Sequence, residues 1–162
     1  MEIIKILEER WEGVDHPFLV HSAGQLYFNE ISKQEPIDLS SIKGGDVVAL
    51  IGDFDPLSIS TLLHLIDKKV ILVPLTVETR SQHEYFFESA LVDVVVEGNS
   101  IKHIQHKFKH KLVNKLRQEE HAGLVLFSTG TTGRPKAILH DLTLFIERFK
   151  TPRPTLKAIN FL

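Results

Sequence analysis

Four short apolar runs, separated by amphipathic stretches, constrain this chain more than any other feature. They are VVALIG (Val47–Gly52), VILVPL (Val70–Leu75), VDVVVEG (Val92–Gly98) and GLVLFS (Gly123–Ser128). A strand that covers one face of a core alternates apolar with polar residues. Runs this continuous have almost no polar position to turn toward water, so they need cover on both faces. The stretches between them supply helices. After the first run, Asp55 is placed to cap, Pro56 suits a first helical turn, and Ile59, Leu62, Leu63 and Ile66 form one apolar stripe. After the second, which Pro74 stops, Ser81–Leu91 reads as a helix with Ser81 and Glu84 in capping-box positions. Gly98 ends the third run, and after the fourth, Asp141 is the expected cap of a last helix, Asp141–Lys150. Strand and helix in alternation predict an α/β fold: a mainly parallel β-sheet flanked by helices on both faces.

Upstream, Ile3, Ile4, Ile6 and Leu7 recur at helical spacing over residues 3–11. FLVHSAGQLYF (Phe18–Phe28) predicts an N-terminal β-hairpin turning at Ser22-Ala23-Gly24. IDLSSIKGGD reads as a helix end or loop punctuated by Gly44-Gly45. The 162 residues suffice for one domain, or one domain and a fragment of another. Nineteen basic against 21 acidic side chains leave a formal charge of −2, which gives no global attraction to nucleic acid or anionic membrane. With no cysteine, disulfide and thiolate chemistry are excluded. MEIIKILEER lacks a signal peptide's basic end and unbroken apolar core, and no apolar run reaches the ~20 residues of a membrane span. The expectation is a soluble, cytoplasmic protein.

The chemistry concentrates in STGTTGRPK, which hangs from the end of the fourth run. Ser128, Thr129, Thr131 and Thr132 place four hydroxyls within five positions. Gly130 and Gly133 admit backbone angles closed to other residues and let amides approach a ligand. Arg134 and Lys136 carry positive charge at physiological pH. Pro135 discourages helix at Arg134, so the segment stays a loop whose amides are free to line an anion-binding nest. A strand end is also where open α/β sheets bind ligands. The pattern is not Walker A, in which lysine directly follows glycine and precedes serine or threonine. Here Lys136 stands three residues after Gly133 and Ala137 follows it.

FSTGTTGRPKAILH resembles the phosphate-binding signature of the adenylate-forming superfamily, which holds acyl-CoA synthetases, peptide-synthetase adenylation domains and luciferases. GGDVVALIGDFDPLSISTLLHLIDKKVILVPLTVET and LYFNEIS are similar to that family's upstream stretches, so the likeness spans nearly the whole chain. The resemblance implies a two-step reaction. A carboxylate attacks the α-phosphate of ATP, giving acyl-adenylate and pyrophosphate, and a thiol then takes the acyl group: CoA in the acyl-CoA synthetase-like enzyme expected here, a carrier-protein thiol being left open. It implies that Ser128, Thr129, Gly130, Thr131, Thr132, Gly133 and Lys136 bind the ATP phosphates, with Mg²⁺ accompanying the nucleotide and no metal ligand or catalytic residue in this stretch. Ala137 replaces the family's usual glycine. The family's later elements, including its catalytic lysine, have no counterpart, and the close on LKAINFL reads as a cut. Residues 1–162 are therefore expected to be the N-terminal part of a larger AMP-binding domain, inactive without the remainder of its own enzyme. The other reading left open is a non-enzymatic anion- or partner-binding domain derived from that family.

Plainer roles are expected elsewhere. His103, His106 and His110 share one face of a hypothetical helix, but Lys107, Lys109 and Lys111 around them repel a cation, so residues 101–118 read as a solvated basic link. With Phe108 as its one aromatic, that link does not read as a nucleic-acid surface. His140 is expected to lead into the last helix, and Phe145 and Phe149 to pack in the core.

Overall fold

Val47, Ala49 and Ile51 pack into one hydrophobic cluster while Val48 and Leu50 pack into another, and all five are buried. Successive strand side chains point to opposite faces, so this split places a core on each side of the sheet. The computed structural model describes residues 3–21, 24–34, 36–53, 55–104, 109–128, 133–148 and 151. Among these, the main sheet has six strands: β3 (Val47–Ile51), β4 (Ile71–Leu75), β5 (Val94–Glu97), β6 (Ser100–His103), β7 (Gly123–Ser128) and β8 (Lys136–Asp141). Their order is β6-β5-β3-β4-β7-β8. The four central strands are parallel, and β6 and β8 close the two edges antiparallel. The fold is α/β with a mostly parallel sheet, as the apolar runs predict.

On one face, α1 (Ile3–Trp11), α2 (Phe28–Ser32) and α3 (Pro56–Asp67) contribute Ile3, Phe28, Ile31, Leu63, Leu65 and Ile66 to the core. The N-terminal hairpin, β1 (Leu19–His21) with β2 (Gly24–Leu26), pairs antiparallel from Leu19↔Leu26 and packs Leu19 and Leu26 against that same cluster. Its expected turn residues Ser22 and Ala23 lie outside the described residues. On the other face, α4 (His83–Ala90) and α5 (Lys111–Glu119) supply Phe86, Ala90, Val113 and Leu116. The last helix, α6 (Leu142–Glu147), returns to the first face through buried Leu142.

Local chemistry explains where the helices begin. Asp55 caps α3 by accepting from the Ser58 amide at 2.9 Å and the Ser58 hydroxyl at 2.5 Å, with Pro56 in the first turn. Glycine is required at position 52, because a Cβ there would lie 2.2 Å from Ser58 Oγ. Asp141 caps α6 through the Leu144 amide at 2.9 Å.

Several expectations are corrected. The stretch Ser81–Leu91 is not one helix with a Ser81–Glu84 box. A 3₁₀ turn, Val77–Gln82, precedes α4, and the cap position falls on Gln82 without a side-chain bond. The cause is His83, buried, whose Nε2 lies 3.0 Å from the Thr76 carbonyl and 3.1 Å from Thr79 Oγ1. That contact holds the chain in the tighter turn. Residues 101–118 are not merely a link: they begin within β6 and continue into α5, whose Val113 and Leu116 are buried, while residues 105–108, His106 included, lie outside the described residues. Gly98, with φ +51°, ends β5 but opens a tight turn into β6, the backbone sign a two-residue hairpin needs. His140 leads into α6 as expected, one residue before its Asp141 cap, and also pairs with Leu124 on β8. Phe145 is 51% exposed and not core, and Phe149 lies outside the described residues.

The Asp55 cap carries a pH signature. Burial pushes its carboxyl up, but the hydroxyl and amide of Ser58, with further backbone amides, outweigh it and hold the group below the ordinary carboxylate range. A carboxyl depressed by folding stabilises above its unfolded pKa and loses that contribution as pH falls through the folded value. Asp55→Ala is expected to cost about 1 kcal/mol at neutral pH. In urea titrations of both proteins across pH, the difference should shrink once the medium is more acidic than the unfolded aspartate value of about 3.9.

Candidate phosphate-binding site

Ligands of open α/β sheets bind beyond the carboxyl ends of the strands, where the crossovers change face. In this sheet α3 crosses from β3 to β4 on one face, and α4 crosses from β4 back to β5 on the other. The change of face therefore falls between β3 and β4. A cleft of about 170 Å³ opens there, lined by Gly52, Asp53, Ser58, Leu62, Pro74 and Thr76 among others. The STGTTGRPK segment leaves the next strand, β7, at the same edge.

Ser128 and Lys136 are register partners at the mouth of the β7–β8 connection. The Lys136 amide donates to Ser128 Oγ at 3.3 Å, which ties the two ends of the loop together. Lys136 is exposed and begins β8, so its ammonium stands on a strand end and not in the loop itself. Thr129, Gly130, Thr131 and Thr132 lie outside the described residues. Gly133 is exposed, and a Cβ there would meet nothing within 4 Å. Its φ is not positive either, the described glycines with that backbone being Gly13, Gly24, Gly45 and Gly98. At position 133 glycine leaves open space.

The exit of the loop is held from α4. Tyr85 donates its hydroxyl to the Pro135 carbonyl at 2.7 Å, and the Arg134 guanidinium lies 5.3 Å from the centre of the Tyr85 ring. The next residue, Phe86, stacks on Phe127 with centroids 4.2 Å apart, fixing the last residues of β7. Neither aromatic was readable as part of the site. Within HEYFF they look like ordinary helix residues, and only the packing of α4 over β7 and β8 brings them to the loop.

The rim carries a compensated charge. Glu97, closing β5, accepts from Arg80 of the 3₁₀ turn, and that hydrogen bond holds its carboxyl below the ordinary range. An anion arriving at this edge therefore meets a paired carboxylate on β5, with Arg134 and Lys136 exposed by the loop. The described donors of the loop are a hydroxyl, a guanidinium and an ammonium. That set suits phosphate oxygens and does not suit a metal ion.

Solved structures share this fold. The Klebsiella oxytoca NpsA N-terminal subdomain in complex with anthranilyl-AMSN matches with a TM-score of 0.64 at 19% identity, over 94% of this chain and 43% of that one. NpsA-ThdA, an artificially fused Adenylation-PCP di-domain NRPS from the same organism, matches with a TM-score of 0.58 at 17% identity, over 85% of this chain and 31% of the fusion. VinN in complex with L-aspartate matches with a TM-score of 0.56 at 12% identity, over 88% of this chain and 48% of that one. No family model matches the sequence, and neither does any curated protein. The fold is that of an adenylation N-terminal subdomain. The chain spans between 39% and 43% of the length of the NpsA subdomain structures.

Tyr85→Phe keeps the ring under Arg134 and removes only the hydroxyl that holds Pro135. The expected cost is about 1 kcal/mol of unfolding free energy, the usual net value of one hydrogen bond, read from the urea midpoint. An unchanged midpoint would show that Tyr85 does not hold the loop exit.

Proposed function

We propose that this chain is the N-terminal part of an ATP-dependent, AMP-forming carboxylate ligase, and that STGTTGRPK grips the β- and γ-phosphates of ATP. The observation that carries the reading is the coincidence of this motif with this fold. A loop of hydroxyls, glycines and two cations joins β7 to β8 at the ligand-binding edge of an adenylation-type sheet. In the reaction, a carboxylate oxygen attacks the α-phosphorus, the bond to the bridging oxygen breaks, and pyrophosphate leaves with the electron pair. Lys136 and Arg134 neutralise charge that grows on the leaving group, and the hydroxyls of Ser128, Thr129, Thr131 and Thr132 donate to its oxygens. Mg²⁺, held with the nucleotide, supplies further charge neutralisation when bound.

The acyl-adenylate then passes its acyl group to a thiol. CoA and a carrier-protein thiol are both chemically competent. The artificial fusion of NpsA to a PCP favours the carrier protein for an adenylation fold of this type. The acid itself is left as a class, small-molecule carboxylates. By itself the 162-residue chain is inactive in this reading, because the groups that position the acid belong to the remainder of the enzyme.

Lys136→Ala in the intact enzyme is expected to lower carboxylate-dependent pyrophosphate–ATP exchange by about 10²-fold, the scale for losing one preorganised charge donor. The isolated chain should bind pyrophosphate, more weakly with Lys136→Ala, and show no exchange. Undiminished exchange in the variant would sink the role given to the loop, and exchange by the isolated chain would refute its incompetence. An intact protein that binds pyrophosphate but activates no acid would favour a non-enzymatic anion-binding domain.

A further inference from the structure

At the opposite end of β7 from the loop, three potential metal ligands converge. His121 Nδ1 lies 2.8 Å from Asp141 Oδ2 and 3.9 Å from Glu119 Oε2, and the three ligand atoms all fall within 4.8 Å of one another. They are brought together by topology: Glu119 ends α5, His121 precedes β7, and Asp141 ends β8 as the register partner of Gly123. From Ser128 this cluster is about five strand residues away, on the order of 17 Å, so it is separate from the phosphate loop.

We propose that Glu119, His121 and Asp141 form a site for a divalent transition ion of the Zn²⁺ type. The donor set is one imidazole nitrogen and two carboxylate oxygens, which is chemistry that zinc accepts with water in a fourth position. Ligands about 2.1 Å from a tetrahedral ion stand about 3.4 Å apart, and the observed spacings bracket that value. Glu119, the most exposed of the three, supplies the small adjustment needed. Two carboxylates and a neutral imidazole balance the charge of the ion, the metal taking Nδ1 while the ring carries its one proton on Nε2.

The frame around the cluster is rigid. The Leu142 amide donates to the Ala122 carbonyl at 2.9 Å, and the Thr143 hydroxyl accepts from the Ala122 amide at 2.9 Å. Asp141 spends its other oxygen, Oδ1, on the Leu144 amide, which aims Oδ2 at His121. Glu120 takes a left-handed φ of +52° that turns the chain from α5 toward His121. The nearest competing cation is Lys115, which reaches Glu119 through the other carboxylate oxygen at 3.9 Å. By contrast, His110 has its Nδ1 committed to the Leu112 amide as the cap of α5, and His103 stands exposed on β6. A bound ion would pin the end of α5 to the start of α6.

The test is titration of the full chain with Zn²⁺, read by calorimetry and by thermal melting, and repeated with Co²⁺ for its visible absorption. One equivalent should bind, the melting temperature should rise with free Zn²⁺, and Co²⁺ should give the intense visible band of a low-coordinate site. His121→Gln should abolish these signals, and Glu119→Gln, an exposed change that leaves the fold intact, should weaken binding at least about tenfold. The double variant His103→Gln/His110→Gln should bind as the unmodified chain does. Binding that survives both His121→Gln and Glu119→Gln, or no binding at all, would overturn the site and leave the His121–Asp141 pair as a metal-free clamp.

Discussion

Burial of β3 on both faces is the constraint from which the rest of the architecture follows. Val47 to Ile51 leave no polar side to turn outward, so a helical layer is obligatory above and below the strand. At roughly 1.5–3 kcal/mol per fully buried aliphatic side chain, the five residues outweigh any local preference in the connecting segments. The crossovers take their places accordingly, α3 on one side and α4 with α5 on the other. The sheet that results is asymmetric along its strands, with one end stitched and the other open.

The stitched end is polar and specific. Asp93 accepts from the Val47 amide at 2.8 Å and from Arg117 at 2.7 Å, and Arg117 also donates to the Gly45 carbonyl at 2.8 Å. Those bonds join β3, the start of β5 and the last turn of α5 at the amino ends of the strands. With that end fixed, the carboxyl ends are left for loops, and the cleft at β3–β4 and the Ser128–Lys136 hairpin share one edge. Rigidity at one end is what lets the other end be open without losing register.

The parts of this arrangement that were legible in the sequence are those where one physical signal dominates. The central strands announce themselves because continuous β-branched runs have few alternatives, and the Asp55 and Asp141 caps because a short carboxylate before an apolar stripe is locally sufficient. Edge strands β6 and β8 were not read. SIKH and KAILHD are short, mixed and largely exposed, with Ile138 45% exposed, so periodicity says little about them. The Gly98-Asn99 pair is the available signal for β6, because the same residues that stop a strand also turn it. For the loop, Ser128 and Lys136 stand out in the sequence as candidates, but Tyr85 and Phe86 do not, because their contacts exist only once α4 lies across β7 and β8. The cluster of Glu119, His121 and Asp141 is further still from any local pattern, its members separated by 20 residues between His121 and Asp141.

If the loop holds an anion as proposed, the entry of β8 directly after it changes how that anion would be held. In a P-loop the chain runs from the glycine turn into a helix, whose amino end contributes about half a positive charge and several unpaired amides. Here Lys136 starts a strand, so no helix dipole points at the ligand. The attraction must come from full charges and from amides and hydroxyls of the loop itself. Full charges gain more than dipoles at short range but are screened by salt when exposed, as Lys136 and Arg134 are. Preorganisation offsets part of that loss. Arg134 lies over the Tyr85 ring, the Tyr85 hydroxyl holds the Pro135 carbonyl, and Ser128 holds the Lys136 amide, so both cations start from fixed backbone positions. In the proposed function, a grip that relies on exposed charges suits a group that leaves as product after each turnover.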